Sequence, residues 1–147
     1  QTAAFFAAAK NKGLLICYSA APFVADVTAS LLPIVDLLVV NEIEADALST
    51  HLGGSIDVPH LIITKGANGV DYLHDQVCEH VPAVKAKAVD TTGAGDTYLG
   101  YVLAGLDQGM VMKEAMVRAA KAAALQVARH GASEAIPLVA DLDEFNL

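Results

Sequence analysis

The sequence predicts an α/β fold built on a mainly parallel sheet, with a small antiparallel element. Three observations lead there. Short apolar runs of strand length alternate with segments whose apolar residues recur at helical spacing. Turn formers separate them: Gly13, Pro33, Gly53-Gly54, Gly66 to Gly69 and Asp75-Gln76. Hydrophobic residues make up 54% of the 147 and charged residues 18%, a balance that suits a buried core rather than disorder.

The elements follow in order. Residues 2 to 12 are Ala-rich with Phe5, Phe6 and Ala9 on one side, which predicts a helix ended by Lys12-Gly13. Leu14 to Tyr18 is a short apolar run, as a buried parallel strand requires. A loop over Ser19 to Pro22 leads to a short helix reaching about Leu31, broken by Pro33. Asp36 to Val40 is the next strand. Asn41 starts a helix to Leu52, with Ile43, Ala47 and Leu48 apolar, and Gly53-Gly54 stops it. Leu61 to Thr64 and Val70 to Leu73 are strands either side of a turn at Lys65 to Gly69. Asp75-Gln76 turns into a further strand, Val77 to Val81. Pro82 to Val89 is extended. Leu99, Val102, Leu103 and Leu106 then mark one face of a helix. A longer helix over Val111 to Arg129 carries a stripe of Met112, Met116, Ala119, Ala120, Ala123 and Val127, whose alanines serve close packing or simply helix propensity. His130-Gly131 ends it, and Val139 to Phe145 forms a last short helix. No repeat, linker or second domain is evident, so residues 1–147 read as one portion of a fold.

Between the last strand and the late helices lies Asp90-Thr91-Thr92-Gly93-Ala94-Gly95-Asp96. The helical pattern begins directly after it, so Gly93, Ala94 and Gly95 should form the helix's first turn. The amides there lack intrahelical partners, the helix dipole adds partial positive charge, and glycine lets an anion approach bare backbone. Asp96 would stand beside that hole. The pairing suits phosphoryl transfer: amides hold the growing charge and a carboxylate takes the proton of the attacking hydroxyl. The plainer reading is a glycine turn with an acid near a helix start.

Asn41 and Glu44 also have two readings. The spacing is that of a capping box, and Asn41 falls just after a strand end, where ligands of such sheets bind. Thr64 to Gly69 is either a hairpin turn or a lip of the same ligand edge. His74, Cys78 and His80 invite a metal reading, but the Asp75-Gln76 turn separates them and a fourth ligand is missing, so we expect no zinc site. His51, His60 and His130 sit near loops and helix ends and read as structural.

Net charge is −8 without a basic run, which disfavours nucleic acid and anionic membranes as partners. Cys17 and Cys78 make no disulfide framework, so a reducing cytoplasm is the expected location. We expect neither a membrane span nor a signal peptide. Gln1, where an initiator Met would stand, leads us to expect a chain that begins inside a longer protein.

Asp90 to Asp96 resembles the D-T-x-G-A-G-D signature of the ribokinase, or PfkB, family of carbohydrate and nucleoside kinases. The resemblance runs from about Leu14 to Pro137 and corresponds to the family's C-terminal half. It implies a three-layer α/β/α fold, with Asp96 as catalytic base and Gly93, Ala94 and Gly95 as anion hole. Asn41-Glu42-Ile43-Glu44 resembles the family's N-x-x-E motif, with Glu44 reaching Mg²⁺ through water. Thr64-Lys65-Gly66-Ala67-Asn68-Gly69 resembles its T-x-G-x-x-G stretch: Thr64, Gly66 and Gly69 would contact ATP, with Lys65, Ala67 and Asn68 alongside. Lys65 would neutralise phosphate charge or stand solvated. Asp90, Thr92, Gln126, Arg129 and Gly131 resemble a potassium site bound mainly through backbone oxygens.

Three departures stand out. A serine ligand of that cation site corresponds to Ala135. An adenine-region Asn corresponds to Ala120. Tyr18-Ser19-Ala20-Ala21-Pro22 is like an N-P-A-P loop without its Asn. The family's Gly- and Asn-rich sugar segment and its dimer-forming lid have no counterpart here. The resemblance therefore implies ATP- and Mg²⁺-dependent phosphorylation of a sugar or nucleoside hydroxyl, a homodimer at full length, and little activity in this portion alone. A pyridoxal- or hydroxymethylpyrimidine-type kinase of the same fold, and a non-catalytic nucleotide-binding module, are the alternatives.

Overall fold

The chain is described here by a computed structural model covering residues 2–144. Phe145, the predicted end of the last helix, lies outside the described residues. The chain groups into two compact units, Gln1–Lys65 with Val70–His80, and Gly66–Gly69 with Val81–Leu147.

The first unit opens with α1 (Thr2–Lys10) and β1 (Cys17–Ser19). Then come α2 (Ala25–Leu31), a 3-10 turn over Leu32–Ile34 where Pro33 ends the α-helical ladder, β2 (Leu37–Asn41) and α3 (Glu42–Leu52). β3 (His60–Thr64), β4 (Val70–His74) and β5 (Val77–Val81) complete a five-stranded sheet in the order β1-β2-β3-β4-β5. β1, β2 and β3 run parallel, and β4 returns antiparallel to β3. The mixed sheet is the one the sequence predicts. Leu37 to Val40 of β2 are all buried, as an inner parallel strand covered on both faces requires. Leu38, Val40, Leu48 and Leu61 form the centre of the core, with Ile16, Leu31 and Val35.

Two local expectations shift. The strand predicted over Leu14 to Tyr18 is Cys17–Ser19. Leu14 and Leu15 are 58% and 81% exposed, and the Ile16 carbonyl accepts the Asp36 and Leu37 amides just ahead of the ladder. Pairing partners, not apolarity, set where a strand begins. In α3, Ile43 is 81% exposed while Ala45 and Leu48 are buried. The hydrophobic face is therefore narrower than its apolar residues suggest, and is set by what the helix rests on. At the β4–β5 turn, Asp75 and Gln76 both adopt left-handed backbone (φ 47° and 63°), the twist a two-residue hairpin needs.

The second unit pairs α4 (Ala94–Asp107) with α5 (Met112–Val127), followed by α6 (Val139–Glu144). The buried face of α4 is Thr97, Tyr98, Val102 and Gly105. Of the predicted face only Val102 is fully buried, and Leu103 is 38% exposed. The reason is Gly105: a Cβ there would stand 2.8 Å from the Ala115 Cβ. The helices meet through their smallest residues, so leucine positions do not mark the contact. On α5, Met116, Ala119 and Ala120 are buried as expected, together with Ala115, Ala122, Ala124 and Gln126. The alanines thus do serve close packing. Among the described residues, no helix is long and apolar enough to cross a membrane.

One polar tie in the first unit holds three segments. Asp36 Oδ2 accepts the Ile16 amide at 2.8 Å, and Oδ1 accepts from Lys10 Nζ at 3.0 Å. Burial works to raise the Asp36 pKa, but the Ile16 amide and Lys10 outweigh it and hold the carboxyl below its usual range. A depressed folded-state pKa gives stability that is complete above the unfolded value and is lost as pH falls through the folded one. Asp36→Asn is expected to cost about 1–2 kcal/mol at pH 7. The gap from wild type should narrow below about pH 4, as read from urea midpoints across pH.

Candidate active site

Two groups of residues carry the predicted chemistry. In the first unit, Asn41 ends β2 and faces Thr64 at the end of β3 in the parallel register, so both stand at carboxyl strand ends. Asn41 then caps α3. Its Oδ1 accepts the Glu44 amide at 2.9 Å, and Glu44 Oε2 accepts the Asn41 amide at 2.9 Å. The capping box is thus formed, and it fixes both side chains at the strand end. The second Glu44 oxygen has no hydrogen-bond partner among the described residues. Thr64 Oγ1 donates to the Val40 carbonyl at 3.4 Å. Lys65 is ion-paired with Asp71, its side chain 29% exposed.

In the second unit, Gly66, Ala67 and Asn68 form an exposed 3-10 turn, within the hairpin connection that joins β3 to antiparallel β4. Gly69 closes it with φ 90°. A Cβ on Gly69 would lie 2.3 Å from the Val81 carbonyl oxygen and 2.8 Å from the Ala83 nitrogen, so only glycine fits. Val81 and Ala83 also line a half-open apolar cavity of about 470 Å³, together with Val84, Val117 and Ala120, with Lys85 and Lys121 on its lining. The sequence reading missed this cavity. The apolar run Val81 to Val84 and Ala120 carried signals of it, but nothing in the sequence brings 81–85 to 117–121.

Asp90 to Asp96 forms a locked turn. The Val89 and Asp90 amides both donate to the Val127 carbonyl, at 2.6 and 3.2 Å. Asp90 Oδ1 accepts the Thr92 amide at 2.9 Å and Oδ2 the Gly131 amide at 3.3 Å. Hydrogen bonds from Thr92, then Gly131, hold the Asp90 carboxyl below its usual range. Gly93 is left-handed (φ 75°) and is the N-cap of α4, with no side-chain cap. Its carbonyl accepts the Thr97 amide at 2.9 Å, and the Ala94 amide makes a long 3.3 Å bond to Thr91. Among the described residues, the Gly95 and Asp96 amides have no acceptor. Asp96 is exposed and, among the described residues, has no hydrogen-bond or ion-pair partner. Hence bare amides and an unoccupied carboxylate share one helix start.

The residues of the expected cation set do converge. Gln126 is fully buried; its Nε2 donates to the Thr92 carbonyl at 2.9 Å and to the Ala132 carbonyl at 3.4 Å. The Arg129 amide donates to the Gln126 carbonyl at 2.9 Å, while its guanidinium pairs with Asp141 at 3.0 Å. Both Asp90 oxygens and the Thr92 carbonyl accept protein N–H groups, and Gln126 Oε1 is buried without a hydrogen-bond partner among the described residues. His74 pairs with Glu79 at 3.2 Å and His80 with Asp71 at 2.7 Å. No cluster of metal-ligating side chains exists among the described residues. Gln126→Ala would orphan the Thr92 carbonyl and open a cavity behind Gly93. We expect a loss of about 2–3 kcal/mol in chemical denaturation.

The sequence pattern described as pfkB family carbohydrate kinase matches residues 2–138. The ribokinase of Staphylococcus aureus (strain COL) is 31% identical over 153 residues, covering 95% of this chain and 50% of that protein. Among solved structures, the ribokinase of Cryptococcus neoformans var. grubii serotype A in complex with ADP superposes with a TM-score of 0.89. It is 25% identical, and the match covers 97% of this chain and 55% of that one. The Burkholderia thailandensis nucleoside kinase in complex with inosine gives a TM-score of 0.83 at 27% identity, over 95% of this chain and 50% of that one. The chain spans about half the length of the curated relatives it matches. On the match over 2–138 and these likenesses, the chain belongs to the pfkB family of carbohydrate kinases.

Proposed function

We propose that this chain is the nucleotide-binding and catalytic portion of an ATP-dependent kinase. It would transfer the γ-phosphoryl group to a hydroxyl of a sugar or nucleoside. The observation that carries the reading is the start of α4, where Asp96 is exposed and, among the described residues, unpartnered beside amides without acceptors. Asp96 accepts the proton of the attacking hydroxyl, and Gly93, Ala94 and Gly95 hold charge on the phosphoryl oxygens. A helix N-terminus left uncapped by side chains suits an incoming anion.

Asn41 and Glu44 are rigidly placed by their mutual cap, and the remaining Glu44 oxygen suits a Mg²⁺-bound water. The ion's contribution, when bound, is to neutralise phosphate charge. Thr64 to Gly69 flank the nucleotide. The apolar cavity beside Ala120 takes the base by burying its ring faces, which needs few directed polar groups. The departure at Ala120 removes a side-chain hydrogen bond there, and we assign no step to potassium.

Assayed in the polypeptide that turns over, Asp96→Asn is expected to cut kcat on the order of a thousandfold with ATP affinity nearly unchanged. Normal turnover in this variant would remove Asp96 from its role and favour a non-catalytic nucleotide-binding module. The 147 residues alone are expected to bind ADP yet to phosphorylate sugars or nucleosides at most weakly, since catalysis also needs a closed, water-excluding acceptor site. Full activity in a coupled ADP-release assay of these residues would refute that.

A further inference from the structure

Lys65 belongs to a small cluster that no motif contains. It follows Thr64 at the carboxyl end of β3, and its ammonium is paired with Asp71 Oδ2. Asp71 stands on β4 opposite Ile63. Its other oxygen meets His80 Nδ1 from β5 at 2.7 Å. The Asp71 side chain is 19% exposed and the Lys65 side chain 29%. The hydrogen bonds from Lys65, then from His80, hold the Asp71 carboxyl below its usual range. The bond to Asp71 raises Lys65, and Glu42 adds a smaller pull in the same direction.

Most exposed ion pairs gain little, because two long side chains must be ordered together. Here one partner is a short side chain on a strand, held from its other side by His80. The carboxylate is in place before the lysine is, so less ordering remains to be done. An ammonium has three N–H donors, and Asp71 engages it from one direction. The others remain for an anion. Without Lys65, the strand end would carry the uncompensated charges of Asp71 and Glu42, which repel phosphate.

We propose that Asp71 is a positioning residue. It holds the Lys65 ammonium at the carboxyl end of β3, ready for the phosphates of a nucleotide, and His80 steadies the same carboxylate. The proposal rests on the nucleotide reading above. It gives Lys65 a fixed geometry and gives Asp71 a role that an ordinary sheet brace would lack.

The test is calorimetric titration of ATP and of adenosine, which lacks phosphates, into the wild-type chain and its variants. Lys65→Met is expected to weaken ATP about tenfold and leave adenosine unchanged. Asp71→Asn should weaken ATP several-fold in the wild-type background and add nothing in the Lys65→Met background. Asp71→Glu, which keeps the charge, should restore most of the ATP affinity, whatever Asp71→Asn does to the fold. Unchanged or tighter ATP binding by Asp71→Asn would overturn the proposal, since Asp71 would then only brace the sheet or restrain Lys65. A wild-type chain that binds ATP while Lys65→Met binds it equally well overturns this proposal alone. A wild-type chain that binds no nucleotide overturns the nucleotide reading with it.

Discussion

The structure of the second unit turns on one constraint: the backbone must reverse at Gly93 and enter α4 without any side chain covering the first amides. A serine or aspartate at the N-cap would stabilise the helix, on the order of 1 kcal/mol, and would cover the first amides. The chain uses left-handed glycine instead and fastens the turn from behind. Asp90 accepts the Thr92 and Gly131 amides, and Gln126 grips the Thr92 carbonyl from inside α5. A Cβ on Gly93 would come within 3.0 Å of Gln126 Nε2. The rigidity of the turn therefore comes from its buried side, and its outward face stays open.

The same division appears at Asn41 and Glu44. Whether the pair caps a helix or serves a ligand is not a choice, because the cap is what fixes both groups at the end of β2. Among the described residues it engages one Glu44 oxygen. Local stability and the placement of both side chains come from the same two hydrogen bonds.

Much of this was legible in the sequence because local rules governed it. Strand ends at Asn41 and Thr64, the helix start at Gly93 to Gly95 and the hairpin at Asp75-Gln76 follow from turn chemistry and capping. What was not legible depended on partners distant in sequence. Ile43, Leu14 and Leu15 are apolar yet exposed, since hydrophobicity shows what a residue tolerates and not what packs on it. The α4 face was misread because a glycine, Gly105, makes its tightest contact. The grip of Asp71 on Lys65 needed the register of β3 with β4, and the cavity beside Ala120 needed α5 brought to the segment after β5.

The contact at Gly69 reaches further than its own turn. Its α-carbon lies against the backbone of Val81 to Ala83, with no room for a methyl group between them. That same backbone walls the apolar cavity. Any change that shifts the 66–69 turn is therefore inherited by the cavity wall. Substitutions at Val117 and Ala120, which also line the cavity, would change its shape without disturbing the residues the glycine touches.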